Sequence, residues 1–328
     1  VSALRLAFLG CGFATRLHSR TLARFGDIER WYASRDLARA GEYSRKYSGA
    51  GWFGSYDDAL RDERIDAVLV ATPPASHLDL TLAALGAGKH VIVEKPPFLR
   101  SGDFDAVDQA ARDAGRRVFI AENYFYKPTA DALRKVIASG DIGEVRIINI
   151  NALKRQETSD WRDSEDLAGG GALFEGGIHW ISFMSHLGLG VTGAHGFRAG
   201  GGRAGSLERS VVVVLEYAQG AVGTLHYSWE ITSPLKGLRL SAVYGTEGTV
   251  TFESNGVFVG VRGLRKRLSA PGLRDMLGYR AMFEDFFRSI KTGEEPRFGL
   301  PAARRDLELV EQAYRSMKPL SQESDNWI

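Results

Sequence analysis

Between residues 4 and 121 the chain repeats one pattern, a strand-length apolar run followed by a segment whose apolar residues fall at helical spacing. The runs are LRLAFLG (4–10), IERWYAS (28–34), IDAVLVA (65–71), KHVIVEK (89–95) and RRVFIA (116–121). In one intervening segment, SHLDLTLAALGAG, Leu78, Leu82 and Leu85 share a helix face, and Gly86 and Gly88 supply the stop. Strand, helix and strand in that order make a parallel sheet, because a long crossover returns the chain to the same end. The crossovers cover both faces of the sheet, so the first third belongs to the α/β class.

From about residue 144 the pattern changes. The runs EVRIININ, ERSVVVVLEY, AVGTLHYSWE, LRLSAVYG and TVTFES are joined in places by turns as short as AQG and TEG, which predicts a mostly antiparallel sheet. One helix before it carries Ala130, Leu133 and Ile137 on a face; two after it lie around Tyr279 to Ile290 and around Leu307, Val310 and Tyr314. We expect a parallel-sheet domain over 1–124 and an α+β domain on an open sheet over 125–328. The glycine-rich AGGGRAG (199–205) reads as a loop.

Charge narrows the partners. Lys+Arg 42 against Asp+Glu 40 gives a net charge of +2 with the basic residues scattered, which argues against nucleic acid and for a small molecule. Apolar stretches stay far short of the roughly 20 residues a membrane span requires. Cys11 is the only cysteine, so no intrachain disulfide forms, and no cluster has metal-ligand spacing. The first strand is expected to begin by Leu4, which leaves no room for a signal peptide after Val1; a leader removed before Val1 stays open, and the expected compartment is the cytoplasm.

After the first strand stands GCGFATRLH, with Gly10 and Gly12 in the first two places of a GxGxxG turn and Thr15 in the third. Such a turn lets the backbone approach a pyrophosphate and aims a helix N-terminus at it. The alternative is a turn and nothing more. Position after the first strand of a parallel sheet favours a dinucleotide. At the end of the second strand, where a carboxylate would hold a ribose 2'-hydroxyl, the chain has Ser34 and Arg35, with Asp36 one step later. Arg35 suits a 2'-phosphate, so NADP is favoured over NAD; alternatively Arg35 is solvated and Asp36 caps a helix. ATPPASH (71–77) and EKPP (94–97) end two further strands at the edge where open parallel sheets bind ligands. The candidate cofactor contacts are Gly10, Cys11, Gly12, Phe13, Ala14 and Thr15; Ser34 and Arg35; Thr72, Pro73 and His77; and Glu94 and Lys95.

GCGFATRLH, ATPPASH, EKP and GGGALFEGGIH, in this order, resemble the Gfo/Idh/MocA family of nicotinamide-dependent oxidoreductases over nearly the whole chain. The hairpin EYAQGAVGTL and the YGTEGTV turn are similar to that family's second domain. The resemblance implies a Rossmann domain, then an open sheet whose outer face makes a homodimer or homotetramer contact. It also implies hydride exchange with a hydroxyl-bearing carbon of a sugar, inositol or related polyol. Lys95 then corresponds to the lysine at the nicotinamide edge and His179 to the proton-transferring histidine. Two positions depart from the family pattern: Glu175 stands where aspartate is usual, and Ser182 where a second aspartate is common.

The segment GGGALFEGGIHWISF reads as a loop running into a helix that carries Glu175 and His179 on one face. Gly176 and Gly177 each cost about 1 kcal/mol of helix propensity relative to alanine, which suggests a site where a ligand approaches the backbone closely. Histidine titrates near neutrality and can remove a hydroxyl proton as hydride leaves. His179 is the expected general acid/base, Lys95 polarises the reacting oxygen, and Glu175 orients His179 or grips a substrate hydroxyl. Alternatively, His179 is a satisfied core histidine and Glu175 caps the helix. Further substrate candidates are Asn123 and Tyr124 in ENYFYKP, Lys154, and the Trp161, Arg162 pair. Two other functions suit the same residues in part: a glycosidase whose bound nicotinamide is transiently reduced, and a non-catalytic dinucleotide-binding sensor. Retention of the cofactor through purification separates the glycosidase from the dehydrogenase, and a sensor has no use for Lys95 or His179.

Overall fold

The computed structural model describes residues 3–158, 161–200, 206–232 and 237–317, so most of AGGGRAG lies outside the described residues. The chain forms two compact units, Val1–Glu122 with Tyr279–Arg304, and Asn123–Gly278 with Arg305–Ile328.

In the first unit β1 (Leu4–Leu9), α1 (Phe13–Leu22), β2 (Ile28–Ala33), α2 (Leu37–Lys46), β3 (Gly51–Phe53), α3 (Tyr56–Arg61), β4 (Ala67–Val70), α4 (His77–Gly86), β5 (His90–Val93), α5 (Asp103–Ala114) and β6 (Val118–Ile120) alternate as the apolar runs predict. The strands form one parallel sheet in the order β3-β2-β1-β4-β5-β6. Central β4 is apolar and buried throughout its length, as a strand covered on both faces must be. β3 was not among the expected strands; three residues give too short a run for periodicity to register.

The second unit begins with α6 (Pro128–Ala138) and β7 (Val145–Leu153), followed by α7 (Glu165–Ala168) and α8 (Ile178–Ser185). There follow β8 (Val191–Arg198), β9 (Ser210–Tyr217), β10 (Val222–Ser228), β11 (Leu240–Gly245), β12 (Thr249–Glu253), β13 (Val259–Arg262) and β14 (Lys266–Ser269). The sheet runs β14-β13-β12-β11-β7-β10-β9-β8 and is antiparallel except where β7 meets β10. β8, β13 and β14 escape sequence reading: β8 carries two glycines and a histidine, and every residue of edge strand β14 is exposed. α8 packs on one face, with Phe183 stacked on Phe252 of β12 at 6.0 Å and the Met184 carbonyl accepting from the Tyr217 hydroxyl. On the other face Ile147, Val222 and Tyr244 are neighbours in register and all exposed.

α9 (Tyr279–Thr292) and α10 (Leu300–Ser316) close the chain. A single division at 124/125 does not describe α9, which returns to the first unit because its aromatic face is buried there. Phe286 stacks on Phe119 of β6 at 4.8 Å, and Phe287 meets Phe25 at 5.6 Å. No helix among the described residues is long and apolar enough to cross a membrane.

His90, at the start of β5, accepts the Arg117 amide at Nδ1 over 3.1 Å. Burial, with Arg116 and Arg117 close by, lowers its pKa from 6.5 to about 4. The unfolded chain therefore takes up a proton that the folded one resists, and stability present above pH 6.5 is lost as pH falls toward about 4. The thermal midpoint should fall across that window and fall less steeply in His90→Leu. Equal slopes would assign the loss to other groups.

Candidate functional site

In the first unit the segments singled out in the sequence all follow the carboxyl ends of β1, β2, β4 and β5. Gly10 has φ +111, and a Cβ there would lie 2.6 Å from the Ala71 carbonyl, so both conformation and space demand glycine. Gly12 precedes α1, whose N-terminus has no side-chain cap, and a Cβ on Gly12 would meet nothing within 4 Å. Open space over an uncapped helix start fits a phosphate. Thr15, buried, replaces the third glycine by donating its hydroxyl to the Gly10 carbonyl at 2.6 Å, which holds the turn closed. Phe13 is exposed and Ala14 half-buried. The Cys11 thiol points inward and burial pushes it up to about 12, so only its backbone faces the turn.

At the end of β2, Ser34 accepts the Asp36 amide, and Asp36 caps α2 by accepting the Arg39 amide at 3.1 Å. Arg35 is exposed beside Tyr56. Arg39, which sequence reading missed, donates Nε to the Cys11 carbonyl at 2.8 Å and ties α2 to the glycine turn.

Two histidines near this edge are used internally. His77, expected among the cofactor contacts, is fully buried, and its ring is engaged by protein. Its Nε2 lies 2.8 Å from the Thr72 carbonyl and its Nδ1 2.9 Å from that of Pro96, so it bridges the ATPPASH and EKPP loops. Burial lowers its pKa against the pull of those carbonyls. His18, on α1, meets Glu94 with Nε2. Burial pushes the Glu94 carboxyl up, but His18 and Lys95 outweigh it and hold the group below the ordinary carboxylate range. Glu94 also accepts the Lys95 amide at 3.1 Å, so its carboxylate fixes the backbone that carries Lys95. Thr72 accepts from the Ser76 hydroxyl, and Pro73 leads the turn into α4.

In the second unit the segment Leu173–Gly177 is a π turn that continues into α8 at Ile178, where the spacing had predicted an α-helix. Its free amides are capped from a distance. Leu173 donates to Glu208 at 2.8 Å, Gly171 and Phe174 donate to the Tyr314 hydroxyl, and that hydroxyl donates to Glu208 at 2.8 Å. The glycines have a different reason from the one expected. A Cβ on Gly176 would lie 2.0 Å from the Tyr227 hydroxyl and one on Gly177 2.9 Å from Leu173, so protein rather than ligand fills both spaces.

Glu175 is buried and pairs with Arg162 Nε at 3.2 Å, while Arg162 also lies over the Trp161 ring at 4.6 Å. His179 is half-buried and stacks on Tyr124, centroids 4.4 Å apart and planes 13° apart. The Lys154 ammonium lies 5.9 Å over the Tyr227 ring. Asn123 is buried with its amide on the Leu277 carbonyl at 2.6 Å, an anchor for the turn that carries Tyr124. No group of three or more His, Cys, Asp or Glu side chains among the described residues could hold a metal.

Residues 4–122 match the oxidoreductase family with an NAD-binding Rossmann fold, and residues 130–251 match the GFO/IDH/MocA C-terminal domain. The chain belongs to the GFO/IDH/MocA family. A trans-1,2-dihydrobenzene-1,2-diol dehydrogenase of Sus scrofa is 29% identical over 222 residues, a match that spans 66% of this chain and 63% of that relative's length. The structure of GenD2 from gentamicin A biosynthesis, in complex with NAD, superposes with TM-score 0.83 at 25% identity over 96% of this chain and 94% of that one. Levoglucosan dehydrogenase in complex with NADH shares the fold, with TM-score 0.85 at 20% identity over 96% and 98% of the two chains.

The Gly176 contact is directly testable. Gly176→Ala should destabilise the protein by about 1–3 kcal/mol, as overpacking does, and Tyr227→Phe added to it should recover part of the loss by removing the clashing oxygen. Denaturant midpoints of the two variants check this, and a neutral Gly176→Ala would contradict it.

Proposed function

We propose that the protein is an NAD(P)-dependent oxidoreductase that moves hydride between nicotinamide and a hydroxyl-bearing carbon of a sugar-like polyol or its ketone. The observation that carries the reading is the open, uncapped start of α1 behind Gly10 and Gly12, within a chain of this family. When bound, the nicotinamide supplies or accepts the hydride. Lys95 donates a hydrogen bond to the reacting oxygen and steadies its alkoxide character. His179 takes the hydroxyl proton during oxidation and returns it during reduction. Glu175 pairs with Arg162, and Arg162, Trp161 and Lys154 are further substrate contacts in this reading.

NADP is the preferred form in this reading. Asp36 already accepts the Arg39 amide at Oδ1 as the cap of α2, while Arg35, at the end of β2, is exposed toward solvent where a 2'-phosphate would be held. The exposed, in-register Ile147, Val222 and Tyr244 suit a contact with a second copy across the open sheet.

His179→Ala should lower kcat/KM for reduction of a keto-sugar by about a hundredfold or more while NADPH binding, followed by nicotinamide fluorescence, is unchanged. Near-normal turnover would remove His179 from the chemistry. Arg35→Ala should weaken NADPH by about tenfold or more and leave NADH as it was; unchanged NADPH affinity would remove the assignment of NADP.

A further inference from the structure

We propose that Tyr124 and Lys127 are positioning residues for His179, a role that rests on reading His179 as the proton-transferring group. Lys127 is 1% exposed, with its ammonium 4.1 Å over the Tyr124 ring and 5.3 Å over that of Trp180. Its Nζ also donates to the Ser254 carbonyl at 3.2 Å. Two costs oppose a lysine here. An ammonium is removed from water, and it stands at the N-cap of α6, where the helix dipole disfavours a cation. A side chain needed only to fill space would be apolar. What the charge does is attract the faces of two aromatic rings, one of which is stacked on His179.

The geometry of Tyr124 leaves it little freedom. Its ring lies nearly parallel to the His179 ring, 13° between planes, and meets the Trp180 ring edge-on at 90° with centroids 5.0 Å apart. The backbone beneath it is a tight turn, closed by the Lys127 amide on the Tyr124 carbonyl at 3.3 Å and by the Tyr126 amide on the Asn123 carbonyl at 3.1 Å. Asn123, tied to the Leu277 carbonyl, fixes the start of that turn. The ammonium holds the tyrosine ring, and the tyrosine ring sets the plane of the imidazole. The function of Tyr124 is therefore carried by its ring face rather than by contact with substrate, and Lys127 acts through it.

The experiment compares Tyr124→Phe, Tyr124→Leu, Lys127→Met and His179→Ala in the full chain. It measures kcat, NADPH affinity and the imidazole C–H resonances of histidine-labelled protein, with the His179 signals assigned by their loss in His179→Ala. Tyr124→Phe keeps the ring and should retain kcat within about threefold, whereas Tyr124→Leu and Lys127→Met should lose about tenfold or more in kcat at unchanged NADPH affinity. In those two variants the His179 resonances should lose the upfield ring-current displacement that stacking produces. Unmoved resonances in Tyr124→Leu, or a tenfold loss in Tyr124→Phe, would overturn the proposal. If Lys127→Met does not fold, the Tyr124 pair still decides between ring and hydroxyl. A His179→Ala variant that turns over normally, with the upfield displacement of the His179 resonances still lost in Tyr124→Leu, would instead defeat the catalytic reading and leave the stack standing.

Discussion

The carboxylate of Glu208 is the interaction on which the Leu173–Gly177 segment of the second unit depends. A π turn opening a helix leaves amides with no partner inside the helix, and in a buried segment each would cost free energy. Glu208 accepts one of them directly and fixes the Tyr314 hydroxyl that accepts two more. Burial raises its pKa, opposed by the Leu173 amide and the Tyr314 hydroxyl. With those amides satisfied the segment can run as a wide turn, and Gly176 then comes against Tyr227 closely enough to exclude any side chain. The placement of Glu175 and His179 follows from that.

The first unit uses the same economy of buried polar groups. His77 bridges the ATPPASH and EKPP loops, and the His18–Glu94 pair ties helix α1 to the end of β5. Parallel strands bring these loops to one edge but do not fix their shapes. Hydrogen bonds to Thr72, Pro96 and the Lys95 amide do that. Pre-ordering of this kind lowers the cost of binding a ligand, because loops already held in place need not be ordered at each encounter.

Much of this was legible in the sequence wherever the cause is local. The alternating runs of the first unit, the glycine turn and the hairpins at AQG and TEG are each set by residues a few positions apart, and all appear in the structure. Causes that act across the chain were not legible. Glu208 lies 35 residues from Leu173, and Tyr314 lies 140 from Phe174, so no spacing rule connects them. The glycines at 176 and 177 looked like room for a ligand because the sequence cannot reveal that Tyr227 and Leu173 fill it. Lys127 gave no signal at all, because its burial depends in part on the Trp180 ring brought in from α8. The packing of His18 near the glycine turn is readable from GCGFATRLH, but its partner Glu94 is 76 residues away.

The central claim is reversible hydride exchange with a soluble nicotinamide. The most direct measurement mixes the purified protein with oxidised NADP or NAD and a panel of sugars and polyols, and follows nicotinamide fluorescence together with chiral analysis of the recovered substrate. The account predicts that added cofactor binds reversibly and is reduced in equal amount to the polyol oxidised. A cofactor that stays bound and non-exchangeable while glycosides are cleaved, or one that binds and is never reduced, would contradict it.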